Sequence, residues 1–337
     1  MTTYFLIFAG FCLLLAGGEG TVRGSVLLAK TFSISPMIIG LIVVGLGTSL
    51  PELLVGINAA LIGAPGLVVG NVLGSNVANL LLILGAAILL TPFSLKPSLI
   101  RFDAVAMMVA TLVFFFLAIT GQLAPWEGLV LLVFMMAYLA LTLRRNIRIK
   151  NSGPDKHVEF TAETNLFSKK FTGLTLRRWI SNNPVISSTT FIVMGIILMV
   201  SGAELLVGGA TELAEKFGVP DEVIGLTVIA IGTSLPELAA AIVAAYRKHP
   251  DLCVGNVVGS NIFNVCGIAG ITTLVTALPI SETIINFDLL VFLGATACIF
   301  FFLVTGLRFP RLLGVTLIGL YVAYIITQYV GIDATIT

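Results

Sequence analysis

Charge is what this chain has least of. Only 10% of its 337 residues are Asp, Glu, Lys or Arg, while 58% are hydrophobic, and the mean hydropathy is +1.09. Soluble globular proteins carry roughly 25% charged residues, so the composition excludes an ordinary cytosolic domain and fits a bilayer. Histidine is almost missing. His157 lies in a polar loop and His249 in a short basic turn, which leaves no basis for a histidine-built metal site. The four cysteines (Cys12, Cys253, Cys266, Cys298) are scattered through apolar segments with no CxxC, and read as small buried hydrophobes without a metal or redox role. The N-terminus, Met-Thr-Thr-Tyr, has no basic stretch before its apolar run, so the first segment is expected to be a retained helix and not a cleaved signal. No nucleophile–base set is visible, which argues against an enzyme. No cofactor, nucleic acid or obligate protein partner is implied.

What is abundant is apolar sequence in span-length runs. A transmembrane helix needs roughly 17 to 25 such residues, and ten stretches qualify: about 3–19, 36–62, 67–91, 102–120, 125–143, 186–206, 222–246, 251–276, 286–306 and 310–330. The loops between them are charged unequally. With the N-terminus outside, the inner loops hold Arg23 and Lys30, Lys96 and Arg101, the run from Arg144 to Arg178, Arg247 and Lys248, and Arg308 and Arg311. Of 18 Lys and Arg residues only Lys216 then falls outside. The outer loop after helix 6 is instead acidic, with Glu212, Glu215, Asp221 and Glu222. The positive-inside rule therefore predicts both termini outside.

The sequence repeats itself. Gly45-Leu-Gly-Thr-Ser-Leu-Pro-Glu52 returns 185 positions later as Ala230-Ile-Gly-Thr-Ser-Leu-Pro-Glu237. The same offset pairs Gly10 with Gly195, Glu19 with Glu204, Gly40 with Gly225, Asn71 with Asn256, Ser75 with Ser260 and Asn79 with Asn264. It also pairs Phe102-Asp103 with Phe287-Asp288. Shared apolar composition does not produce matching Asn, Ser, Pro and Glu. Each half holds five spans, and an odd number sends the second half through the membrane upside down, the arrangement of many secondary transporters. The predicted fold is an all-α polytopic membrane protein of ten helices, built as two inverted five-helix repeats (1–143 and 185–337) around a basic cytoplasmic loop (144–184). That loop ends in mixed apolar and basic residues, suited either to an anionic leaflet or to a plain linker.

Polar groups at membrane depth mark the chemistry. Thr48 and Glu52 lie on one helical face, while Pro51 removes a backbone donor and Gly45 and Gly47 loosen the turn before it. Helices 2 and 7 are therefore expected to break near mid-membrane, where freed carbonyls survive only beside protein or a wet cavity. Ser49, Ser75 and Asn79 add oxygens, and the second half repeats the set as Thr233, Ser234, Glu237, Ser260 and Asn264. Oxygen-only ligands suit Ca²⁺, which takes about 6 to 8 of them, and Na⁺ is similarly hard. With no Lys or Arg at that depth, Glu52 and Glu237 require a cation or a proton. Asn71, Asn76, Asn256 and Asn261 read equally well as interhelical hydrogen-bonding groups, and Gly70, Gly74, Gly255 and Gly259 as packing positions. Glu19, Glu204, Asp103, Asp288 and Asp251 sit at predicted helix ends and are left out of the site.

The doubled run Gly-Thr-Ser-Leu-Pro-Glu followed by Gly-Asn-Val-x-Gly-Ser-Asn-x-x-Asn resembles the alpha repeats of the calcium/cation antiporter superfamily, specifically its prokaryotic sodium/calcium exchangers. The resemblance covers the whole chain. It implies exchange of Na⁺ for Ca²⁺ by alternating access in a prokaryotic cytoplasmic membrane, with helices 1 and 6 sliding across the rest. It implies that Thr48, Ser49, Glu52, Ser75, Asn79, Thr233, Ser234, Glu237, Ser260 and Asn264 hold the ions, joined by backbone carbonyls near Gly45 and Ala230. Some members carry Asp where this chain has Asn264, including potassium-dependent ones. With only two carboxylates here, a third Na⁺ leaves the sodium-loaded site positive, which favours electrogenic exchange without K⁺. H⁺/Ca²⁺ exchange through the same glutamates is the alternative; a cation channel fits the inverted repeat poorly.

Overall fold

The computed structural model describes residues 2–151, 183–217 and 230–336. Most of the central loop and the first part of the seventh expected span, with Gly225, Asp221 and Glu222, lie outside the described residues. The described chain is almost wholly helical: α1 (Thr2–Phe32), α2 (Pro36–Thr48), α3 (Leu50–Leu61), α4 (Pro65–Leu90), α5 (Pro97–Ala118), α6 (Pro125–Asn151), α7 (Pro184–Lys216), α8 (Ala230–Gly232), α9 (Leu235–Tyr246), α10 (Pro250–Val275), α11 (Ile284–Thr305) and α12 (Arg311–Ile336). Prolines open many of them, because the first helical turn has no use for the missing N–H. Gly306 closes α11 in the left-handed region at φ +71°, its N–H bonded to the Phe302 carbonyl. Among the described residues, eight helices are long and apolar enough to cross a membrane, and α2 with α3, bent by 40°, makes a ninth span. α8 and α9 belong to the seventh expected span, 222–246.

Two helices run further than their hydrophobicity suggests. The first span was expected over 3–19, ending at Gly17-Gly18-Glu19-Gly20, yet α1 continues to Phe32; α7 likewise overruns 186–206 at both ends. Helical glycine costs about 1 kcal/mol relative to alanine, and here close packing offsets it. α1 and α7 run antiparallel, with Gly10, Gly17 and Gly24 facing Gly202, Gly195 and Ser188. A Cβ added to Gly10 would come within 2.7 Å of the Gly202 carbonyl, and one on Gly24 within 2.7 Å of the Ser188 carbonyl. Small residues spaced seven apart on both helices let the backbones touch, the usual basis of helix association in lipid. Glu19 pairs with Arg23 at 2.5 Å, as its spacing predicts, and also with Arg247 just beyond α9.

α4 and α10 form the centre. Every residue from 252 to 270 is buried, and α2 lies along α10 with a Cβ on Gly40 only 2.6 Å from the Leu252 carbonyl. α6 packs on α10 as α12 packs on α4, and α5 packs on α11, so the inverted repeat is visible in the packing. Two small backbone pairings repeat it again: Leu123 opposite Leu278 in the two-stranded sheet of β1 (Gln122–Leu123) and β2 (Leu278–Pro279), and Phe93 opposite Phe309. Among the described residues, four stretches wind as π-helix: Ile39–Val44, Ala78–Ile83, Phe263–Ile268 and Ile284–Asp288.

Candidate cation site

The two signature copies fold alike. The helix stops at Ser49 (φ −84°, ψ 8°) and at Ser234 (φ −88°, ψ 4°), then restarts with proline and glutamate in its first turn. Ser-Leu-Pro-Glu has the pattern of a capping box, in which the serine hydroxyl bonds its own helix end. Neither serine makes that bond. Instead the Ser49 hydroxyl donates to Glu237 Oε1 at 3.0 Å, and the Ser234 hydroxyl donates to Glu52 Oε1 at 3.5 Å. Each half thus holds the other's carboxylate across the pseudo-twofold axis. Both glutamates are 1% exposed, in the first turn of α3 and of α9, where the helix dipole favours negative charge.

α4 and α10 supply the remaining groups. Ser260 donates to the Gly45 carbonyl at 3.2 Å, and Asn264 Nδ2 donates to the Ser75 hydroxyl at 3.1 Å. The Thr48 hydroxyl donates to the Val44 carbonyl at 3.0 Å and to Asn256 Oδ1 at 3.4 Å. Asn79 and Asn264 each lie in a π-turn at equivalent places in the repeat; such turns recur at functional sites because they re-aim a side chain. Among the described residues, Glu52 Oε2, Glu237 Oε2, Asn264 Oδ1, the Thr233 hydroxyl and both amide atoms of Asn79 are buried without a partner. Ala230 opens α8. No three His, Cys, Asp or Glu side chains cluster among the described residues, so a cation here would be held by two carboxylates with neutral oxygens.

The mirror image is incomplete. Asn264 reaches Ser75, whereas Asn79 has no hydrogen bond to Ser260; Thr48 reaches Asn256, whereas the Thr233 hydroxyl has no partner among the described residues. Asn71 donates to the Glu52 carbonyl at 3.2 Å, while the amide nitrogen of its counterpart Asn256 is unpartnered. Asn71 and Asn256 are therefore the interhelical groups the sequence suggested, and both touch the bent segments directly. Asn76 and Asn261 bond back to their own helices, to the carbonyls of Val72 and Val257.

Two acids expected merely to open helices do something else. α5 begins at Pro97, so Asp103 lies in its second turn, buried, accepting a hydrogen bond from the Tyr138 hydroxyl at 3.0 Å. Asp288 accepts from the Tyr324 hydroxyl at 2.7 Å and from Gln328. Phe102 stacks on Tyr138 as Phe287 does on Tyr324. The doubled Phe-Asp was a visible signal; the tyrosines were not, because their spacing from it differs by one residue between the halves.

The comparisons with known proteins agree with this architecture. The sodium/calcium exchanger protein family matches residues 2–144 and 187–330. The chain is 34% identical over 329 residues to the inner membrane protein YrbG of Escherichia coli, covering 96% of each. It is 30% identical over 347 residues to the sodium/calcium exchanger MaX1 of Methanosarcina acetivorans, covering 97% of this chain and 98% of that protein. A solved structure of the sodium-calcium exchanger NCX_Mj superposes with a TM-score of 0.80 at 28% identity, over 96% of this chain and 98% of that one. Fold and family are those of transporters, and the chain belongs to the sodium/calcium exchanger protein family.

Proposed function

We propose that this protein exchanges Na⁺ for Ca²⁺ by alternating access, with the ions held between Glu52 and Glu237. The reciprocal Ser49–Glu237 and Ser234–Glu52 hydrogen bonds carry this reading, since they bring both carboxylates to one place at the repeat interface. The unpartnered oxygens of Glu52, Glu237, Asn79, Asn264 and Thr233 support it. Burying a polar atom without a partner costs about 1–3 kcal/mol, so five together approach the roughly 5–15 kcal/mol that stabilise a whole domain. A hard cation removes that penalty. The ligand set is completed by Thr48, Ser49, Ser75, Ser234, Ser260 and the carbonyls of Gly45 and Ala230, rearranged on binding.

Reconstituted vesicles loaded with Na⁺ should take up Ca²⁺ when diluted into Na⁺-free medium. Uptake driven equally by a pH gradient without Na⁺ would assign the coupling to protons and overturn the sodium reading. The lysine and arginine distribution supports an orientation with both termini outside and the 144–184 loop in the cytoplasm. The relative named as an inner membrane protein supports a cytoplasmic-membrane location.

A further inference from the structure

The turn between α11 and α12 and the end of α4 border an open surface cavity of about 480 Å³ lined by Pro92, Arg308, Pro310 and Arg311. We infer that this cavity binds the phosphodiester headgroup of an anionic phospholipid.

Both arginines are exposed, and among the described residues neither has an ion pair or hydrogen bond. The fold does not require them. The backbone bridge Phe93–Phe309 beside the cavity has its inverted-repeat counterpart in Leu278–Leu123. There Gln122, Ala124, Pro125 and Ala277 stand where Arg308, Pro310, Arg311 and Pro92 stand here, and the same turn closes without a cation. The arginine pair is therefore an addition to one end of the molecule.

The floor is rigid. Phe309 is buried, with its ring 5.1 Å from Phe93 and 5.2 Å from Phe302. Arg311 opens α12, whose first-turn N–H groups and dipole add to the attraction for an anion. Two guanidinium forks can each meet a phosphate bidentately. Basic pockets between membrane helices are suited to anionic headgroups. The flank decides between a lipid and a free phosphate. Leu90, Leu307, Leu312 and Val315, within four positions of the lining residues in the chain, are large, apolar and exposed, a surface that acyl chains would cover and inorganic phosphate would leave bare.

The test titrates the purified full-length protein in detergent with dioleoyl phosphatidylglycerol, with dioleoyl phosphatidylcholine and with inorganic phosphate, following bound lipid by native mass spectrometry. The wild type should retain phosphatidylglycerol in preference to phosphatidylcholine, and equimolar inorganic phosphate should not displace it. Arg308→Gln with Arg311→Gln should weaken phosphatidylglycerol binding about 30-fold, and Arg311→Gln alone about fivefold; the single variant carries the comparison if the double one fails to fold. Equal phosphatidylglycerol binding by wild type and variants overturns the site. Displacement by equimolar phosphate overturns the lipid assignment and makes it a site for a soluble anion.

Discussion

Glu52 and Glu237 carry the only negative charge in the proposed site, so each should be indispensable. Glu52→Gln keeps shape and hydrogen bonding and removes one charge, and Ca²⁺ affinity shifts by decades with ligand charge. Each Gln variant should lower sodium-driven Ca²⁺ uptake about 100-fold or more, read as ⁴⁵Ca²⁺ in vesicles; near-normal uptake by either variant would remove it from the site. Ser49 and Ser234 act on the opposite carboxylate, so Ser49→Ala and Ser234→Ala should raise the Ca²⁺ concentration for half-maximal uptake by roughly 10-fold, as loss of a supporting hydrogen bond usually does. The glutamates were legible as residues, because a carboxylate in an apolar run has few structural explanations. Their crossed partners were not: Ser-x-x-Glu reads as a local cap, and only the approach of the second repeat redirects the hydroxyl.

Helix ends and helix partners carry the next level. Gly24→Ala places a methyl carbon 2.7 Å from the Ser188 carbonyl on the α1–α7 seam, and overpacking of this kind costs about 1–3 kcal/mol. The same change at Gly66, with nothing within 4 Å, should be neutral or slightly stabilising. Thermal unfolding in detergent should separate the two, and equal melting temperatures would contradict the close seam. The acid–tyrosine pairs give a second contrast. Tyr138→Phe removes the one side-chain donor that Asp103 has among the described residues, a loss of about 1–3 kcal/mol, while Tyr324→Phe leaves Gln328 bonded to Asp288 and should cost less. Hydropathy misjudged α1 and α7 for a physical reason: the glycines and Glu19 that lower it are what the packing and the ion pairs use.

For the whole molecule, the inverted repeat relates the two halves, and the charge distribution gives the proposed orientation, with both termini outside. A cysteine at Gly63, in the turn after α3, should react with an impermeant thiol reagent from outside, and one at Lys248 only from the cytoplasmic side; the reverse pattern would invert the topology. The sequence by itself determined the membrane class, the doubled five-helix plan and the polar residues of the candidate site. Those follow from burial energies that make isolated polar groups in lipid too costly to occur by chance. Tertiary structure alone decided which serine meets which glutamate, where the backbone takes π-turns, and where Arg308 and Arg311 border a cavity. Such choices depend on how chain segments nearly 200 positions apart come together, and no local propensity encodes that approach.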